Sequence, residues 1–233
     1  PALDPKAGDG GVPAFYSDPA AEAAGPPGRL VRSEPLPAEL VLAHAGDAFR
    51  MIYTSTDGLT GQGGVLVSGA VFLPKGAPPA GGWPLIAWAH GTVGVADICA
   101  PSLNARSERD AAYLNHWLAQ GYAVVASDYQ GLGTPGGHPY LATRPAAYSV
   151  LDSIRAVQAG DMPVSDAVVL VGQSQGGGAA FATAGIADSY APELDIRGTV
   201  ATGTPYFTAD TAPAARDPAA VEGVFAYTLY ILH

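Results

Sequence analysis

Val168-Val169-Leu170-Val171-Gly172-Gln173-Ser174-Gln175-Gly176-Gly177-Gly178-Ala179-Ala180 decides the reading of this chain. Four branched apolar residues have the signature of a buried strand. Gly-x-Ser-x-Gly follows, and the small-residue tract after it opens a helix. Strand, sharp turn, helix is the arrangement that lifts a serine hydroxyl above the edge of a sheet. The glycines have a steric task. The turn strains the backbone of Ser174, and strand and helix come too close for β-carbons.

The neighbouring sequence agrees with a layered α/β domain. Ala48 to Thr56 and Val65 to Leu73 are strand candidates around a glycine-rich hairpin loop. Pro84 to Ala89 is a short apolar run ending at His90-Gly91-Thr92. Ser107 caps a helix with acids in its first turn, and Gly121 ends it. Tyr122 to Ser127 is the next strand, and a helix follows from about Pro145 to Ala159. Ala167 to Val171, the helix from Ser174 to about Tyr190, and a strand from Arg197 to Thr202 complete the pattern. Alternation of this kind predicts a mostly parallel central sheet with right-handed crossovers and helices on both faces. Ligands then gather at the carboxyl ends of the strands. The loops at His90-Gly91-Thr92, 128–140, Ser174 and Gly203-Thr204-Pro205 all fall there.

Composition sets the outer bounds. The chain has 233 residues, 48% hydrophobic and 14% charged, with a net charge of −10. One large core fits that length. The basic footprint that nucleic acid demands is absent, so no nucleic-acid partner is expected. Thirty glycines and 21 prolines punctuate apolar runs and read as loops. Residues 1–37 read as an extended arm, 38–210 as the N-terminal part of the core, and 211–233 as the start of a helical cap, with Pro218 to His233 helical. No apolar stretch is long enough to span a bilayer. No leader precedes Pro1, which leaves export open. Cys99 is the only cysteine, and the five histidines lack metal-ligand spacing, so no metal site is expected.

A serine nucleophile needs a histidine base, an acid to orient it, and donors for the oxyanion. One donor is the backbone N–H of Gln175; the other comes from the loop after the Leu85-Ile86-Ala87 strand, at Gly91 or Thr92. His90 precedes Ser174 and reads as structural, because chain order in this fold is serine, acid, histidine. Asp128 reads as a loop-capping carboxylate on the same ground. After Ser174 the only histidine is His233. Asp188, Glu193, Asp195, Asp210, Asp217 and Glu222 are the acids that follow, with Asp210 best placed. The preferred reading puts the triad acid and histidine outside this chain, on two further strands. Tyr129, His138 and Tyr140 in the 128–140 loop, and Gln173 in the elbow, are candidates to line a substrate pocket.

Several segments carry a family resemblance: Pro27-Gly28-Arg29-Leu30-Val31-Arg32, Tyr53-Thr54-Ser55-Thr56-Asp57, Ala89-His90-Gly91-Thr92 and Cys99-Ala100-Pro101-Ser102. Asp128-Tyr129-Gln130-Gly131-Leu132-Gly133-Thr134-Pro135, His138-Pro139-Tyr140 and the elbow complete them. With these the chain resembles the secretory lipases, α/β-hydrolases of fungi and their bacterial relatives. The resemblance implies the α/β-hydrolase fold and cofactor-free hydrolysis of small-molecule or lipid carboxylic esters. Ser174 is then the nucleophile, with Gln175 and the Thr92 region as oxyanion hole. It further implies a cap starting after Thr204, an acid and histidine in a C-terminal segment beyond it, a disulfide from Cys99 to that segment, and a secreted or periplasmic protein. Gln173 departs from the pattern, since relatives often carry His or Tyr there. Amide or peptide hydrolysis, acyl transfer, and a non-catalytic binding module remain as alternatives.

Overall fold

The computed structural model describes residues 11–17 and 23–206, together with Tyr227 and Tyr230. Seven strands form one sheet: β1 (Leu30–Pro35), β2 (Ala45–Thr56), β3 (Gly64–Pro74), β4 (Trp83–Ala89), β5 (Ala123–Ser127), β6 (Val164–Gln173) and β7 (Asp195–Thr202). Their spatial order is β1-β2-β3-β5-β4-β6-β7. The strands β5, β4, β6 and β7 run parallel, whereas β1, β2 and β3 meet their neighbours antiparallel. Helices α1 (Glu108–Ala119), α2 (Thr143–Gln158) and α3 (Gln175–Tyr190) make the crossovers between the parallel strands.

Alternation along each central strand feeds two cores, one on each face of the sheet. Leu85, Ala87 and Ala89 of β4 face α2 and α3 and pack with Val168, Leu170, Val150, Ile154 and Ala180. Ile86 and Trp88 point the other way, onto Leu114 and Leu118 of α1. Because both faces are covered, β4 to β6 read in sequence as unbroken apolar runs rather than alternating ones.

Two differences from the sequence reading have physical causes. The arm at residues 1–37 is more than a strap, since Leu30–Pro35 is an edge strand antiparallel to β2. Tyr16 in the same segment is 2% exposed, with its hydroxyl 2.9 Å from Ser102 Oγ. Proline and glycine on either side hide this short strand, and an edge position tolerates them. Helix α2 begins two residues before Pro145, because a first-turn amide has no intrahelical acceptor to lose. The hairpin expected between β2 and β3 is present, closed by Asp57 N–H donating to Gly63 O at 3.0 Å. Of the cap expected at 211–233 only Tyr227 and Tyr230 are described, and Asp210, Asp217, Glu222 and His233 lie outside the described residues.

Candidate active site

Ser174 stands between β6 and α3 with φ +58° and ψ −123°, a region that side chains rarely occupy. Its N–H donates to Thr202 O of β7 at 2.9 Å, and its carbonyl accepts from Gly178 N–H at 3.1 Å. A β-carbon on Gly172 would collide with the Gly176 carbonyl, and one on Gly176 with the Ala89 carbonyl at the end of β4. The elbow is therefore wedged among three strands, and its strained serine is over-determined by backbone contacts. The amino end of α3 adds its positive dipole beneath the serine.

The structure brings Ser174, Gln173, Gly91 and Thr92 onto one cleft of about 710 Å³. A β-carbon on Gly91 would lie 3.7 Å from Ser174 Cβ, so the β4 loop touches the elbow directly. Thr92 Oγ1 is 2.8 Å from Tyr140 OH. Tyr140 thus reaches the site through Thr92, and its ring packs edge-on against Tyr230 at 5.6 Å. Tyr129 and His138 instead line a second, smaller pocket behind Gln175.

His90 is 2% exposed and its ring lies parallel to Tyr129 at 4.2 Å. Its Nδ1 is 2.7 Å from Gly91 O, and its Nε2 is 3.2 Å from Asp128 O. Burial pushes its pKa down to about 4, so the ring is neutral at pH 7 and its proton belongs on the shorter bond. The β4 loop is fastened to the β5 loop by the stacking of this ring on Tyr129 and by Tyr129 OH, which donates to His90 O at 2.9 Å. Asp128 is fully buried, accepting from Ser68 Oγ at 2.7 Å, from Ser102 N–H at 2.9 Å and from Ser102 Oγ. Burial raises its carboxyl pKa, against the pull of those donors.

Among the described residues no histidine nitrogen bonds Ser174 Oγ, since His90 and His138 are committed elsewhere. Glu193 pairs with Arg155 at 2.6 Å and Asp195 with Arg197 at 2.6 Å, away from the cleft. Cys99 is a free, half-buried thiol on the cleft wall, and no cysteine partner exists in this sequence for the expected disulfide. Two features escaped the sequence reading. Arg106 lines the cleft with its guanidinium over the Phe72 ring at 5.3 Å; a lone arginine before a helix cap carries no periodic signal. The Gln175 side chain turns away from the cleft to meet His138 Nε2 at 2.9 Å, a contact no linear spacing announces.

The secretory lipase family model matches residues 101–230, more than half of the chain. Lipase A of Moesziomyces aphidis is 29% identical over 209 residues, covering 84% of this chain and 44% of that protein. A probable inactive lipase of Mycobacterium tuberculosis is 29% identical over 205 residues, covering 80% and 44%. The X-ray structure of Candida antarctica lipase A in its closed state aligns with TM-score 0.69 at 26% identity, over 87% of this chain and 48% of that one. The rice cell wall degrading esterase LipA from Xanthomonas oryzae aligns with TM-score 0.64 at 28% identity, over 82% and 54%. The chain spans about half the length of the curated relatives it matches. Among the described residues no helix is long and apolar enough to cross a membrane.

Proposed function

The chain belongs to the secretory lipase family, and from that premise we propose that it carries the nucleophile and oxyanion hole of an exported serine carboxylic ester hydrolase. Ser174 Oγ attacks the ester carbonyl. The oxyanion is held by Gln175 N–H and by the Gly91–Thr92 segment. If Tyr140 donates to Thr92 Oγ1, the threonine proton is left to point at that oxyanion. A histidine from a C-terminal segment takes the serine proton and returns it to the leaving alcohol, oriented by an acid from the same segment. Water then hydrolyses the acyl-enzyme by the reverse path. The single observation that carries this reading is a serine at φ +58° on a helix amino terminus, facing a cleft walled by the β4 loop.

Ser174→Ala in the protein together with its C-terminal segment is expected to abolish p-nitrophenyl ester hydrolysis while leaving the melting temperature unchanged. Turnover surviving in that variant overturns the assignment. A non-catalytic module is the second reading, favoured by the relative named as a probable inactive lipase and by a Ser174 hydroxyl that no described histidine touches. A fluorophosphonate separates the two: an activated Ser174 is labelled covalently, and an inert one is not.

A further inference from the structure

Behind Gln175, on the side of α3 that faces α2, lies a pocket of about 160 Å³. Its walls are mainly apolar, with Leu141, Pro145, Ala146, Ala179 and the Tyr129 ring among them. A cavity of about 150 Å³ is large enough to hold a benzene ring. Three non-glycine residues among those described have positive φ: Ser174, Tyr129 at +72° and Leu141 at +60°. The last two are on this pocket's wall. Strain of that kind costs about 1–3 kcal/mol per residue and concentrates where a site must keep its shape.

The polar groups of the wall leave one need unmet. His138 Nδ1–H donates to Gln130 O at 2.9 Å, so neutral His138 presents its Nε2 lone pair to the pocket wall. Gln175 Nε2–H fills that lone pair at 2.9 Å, which fixes the orientation of the amide. The opposite atom, Gln175 Oε1, is buried and has no hydrogen-bond partner, although the residue is only 5% exposed. Two donors of the pocket wall are spent elsewhere. Tyr129 OH donates to His90 O at 2.9 Å, and Gln130 Nε2 donates to Asp57 at 2.8 Å. A buried carbonyl left unpaired costs about 1–3 kcal/mol, and a donor carried by a ligand would relieve that cost.

We propose that this pocket is a subsite for a small hydrocarbon group bearing a hydroxyl, of about the size of a phenol, whose O–H donates to Gln175 Oε1. The inference rests on the hydrolase reading, because the group is then one arm of the ester. Gln175 serves both ends: its backbone N–H faces the oxyanion and its side chain reads the arm. The arm belongs either to the acyl or to the alcohol half.

Phenol and toluene are the binding probes, titrated by ligand-observed NMR into the protein and into its Ser174→Ala variant. Phenol is expected to bind about fivefold more tightly than toluene in both, the worth of one neutral hydrogen bond. Gln175→Met keeps the chain length and removes the acceptor; it should bring the ratio to about one. Ala142→Phe, at a half-exposed wall position, should weaken both probes together. A ratio near one in the unmodified protein, or a preference that survives Gln175→Met, overturns the subsite. Esters distinguish the two halves. 3-(4-Hydroxyphenyl)propionate against 3-phenylpropionate p-nitrophenyl esters report the acyl arm. Butyrates of 2-(4-hydroxyphenyl)ethanol and 2-phenylethanol report the alcohol arm. A kcat/KM preference of about fivefold in one pair, lost in Gln175→Met, supports the assignment to that half; no preference in either pair overturns it. If no ester is turned over while phenol binding keeps its preference, the hydrolase reading fails and the pocket stands.

Discussion

At the scale of single residues, the site depends on atoms that are absent as much as on those present. Gly176 packs against the Ala89 and His90 carbonyls, and an added methyl has nowhere to go. Gly176→Ala is expected to cost about 3 kcal/mol, seen as a lowered urea midpoint with unchanged slope. Thr92 is a different case, because its hydroxyl matters only when charge develops. Thr92→Val should leave the folded stability within about 1 kcal/mol yet lower kcat about tenfold or more, with KM nearly constant. A raised KM with kcat unchanged would place that hydroxyl in ground-state binding instead. Both positions sit within quoted motifs and were legible from sequence. The partnership of Thr92 with Tyr140, 48 residues away, was not.

At the scale of elements, α2 and α3 are joined by a buried polar knot rather than by apolar packing alone. Asp152 is fully buried and accepts from Ser55 Oγ, Tyr190 OH and Arg155 Nη1 at 2.7, 2.7 and 2.8 Å. Burial raises its carboxyl pKa even so. Arg155 also reaches Glu193 and the Tyr190 carbonyl, tying both helix ends to β2. Asp152→Ala strips three donors of their acceptor and is expected to cost about 3–5 kcal/mol in chemical unfolding. A loss below about 1 kcal/mol would show that water replaces the carboxylate. Helix α2 was visible as an amphipathic period, but its inward-facing aspartate was not, since periodicity registers only which face is apolar. Ser107 is the contrary example. A serine followed by acids marks the start of α1, and its hydroxyl accepts from Asp110 N–H as that local chemistry dictates.

At the scale of the whole molecule, acid stability should report how tightly the loops are drawn over the sheet. His90 has an unfolded pKa of about 6.5 and a folded one of about 4. Between those values the unfolded chain binds the extra proton, so stability falls as pH falls from 6.5 toward 4. The full loss is about 3 kcal/mol. Asp128 acts with the opposite sign, because its raised carboxyl pKa makes burial easier on acidification. A comparison with His90→Gln isolates the histidine: the stability gap between the two proteins should shrink from pH 7 to pH 4.5. A gap that stays constant refutes the buried neutral ring. Sequence alone determined the layered α/β order, the elbow and the loops that share its edge, because strand runs, caps and Gly-x-Ser-x-Gly are local patterns. The edge strand Leu30–Pro35, the antiparallel pairing of β3 with β5 and the Gln175–His138 contact were decided only by tertiary structure. Each joins residues tens of positions apart, and such pairing is set by which surfaces meet when the core closes. No stretch of sequence read one segment at a time contains that information.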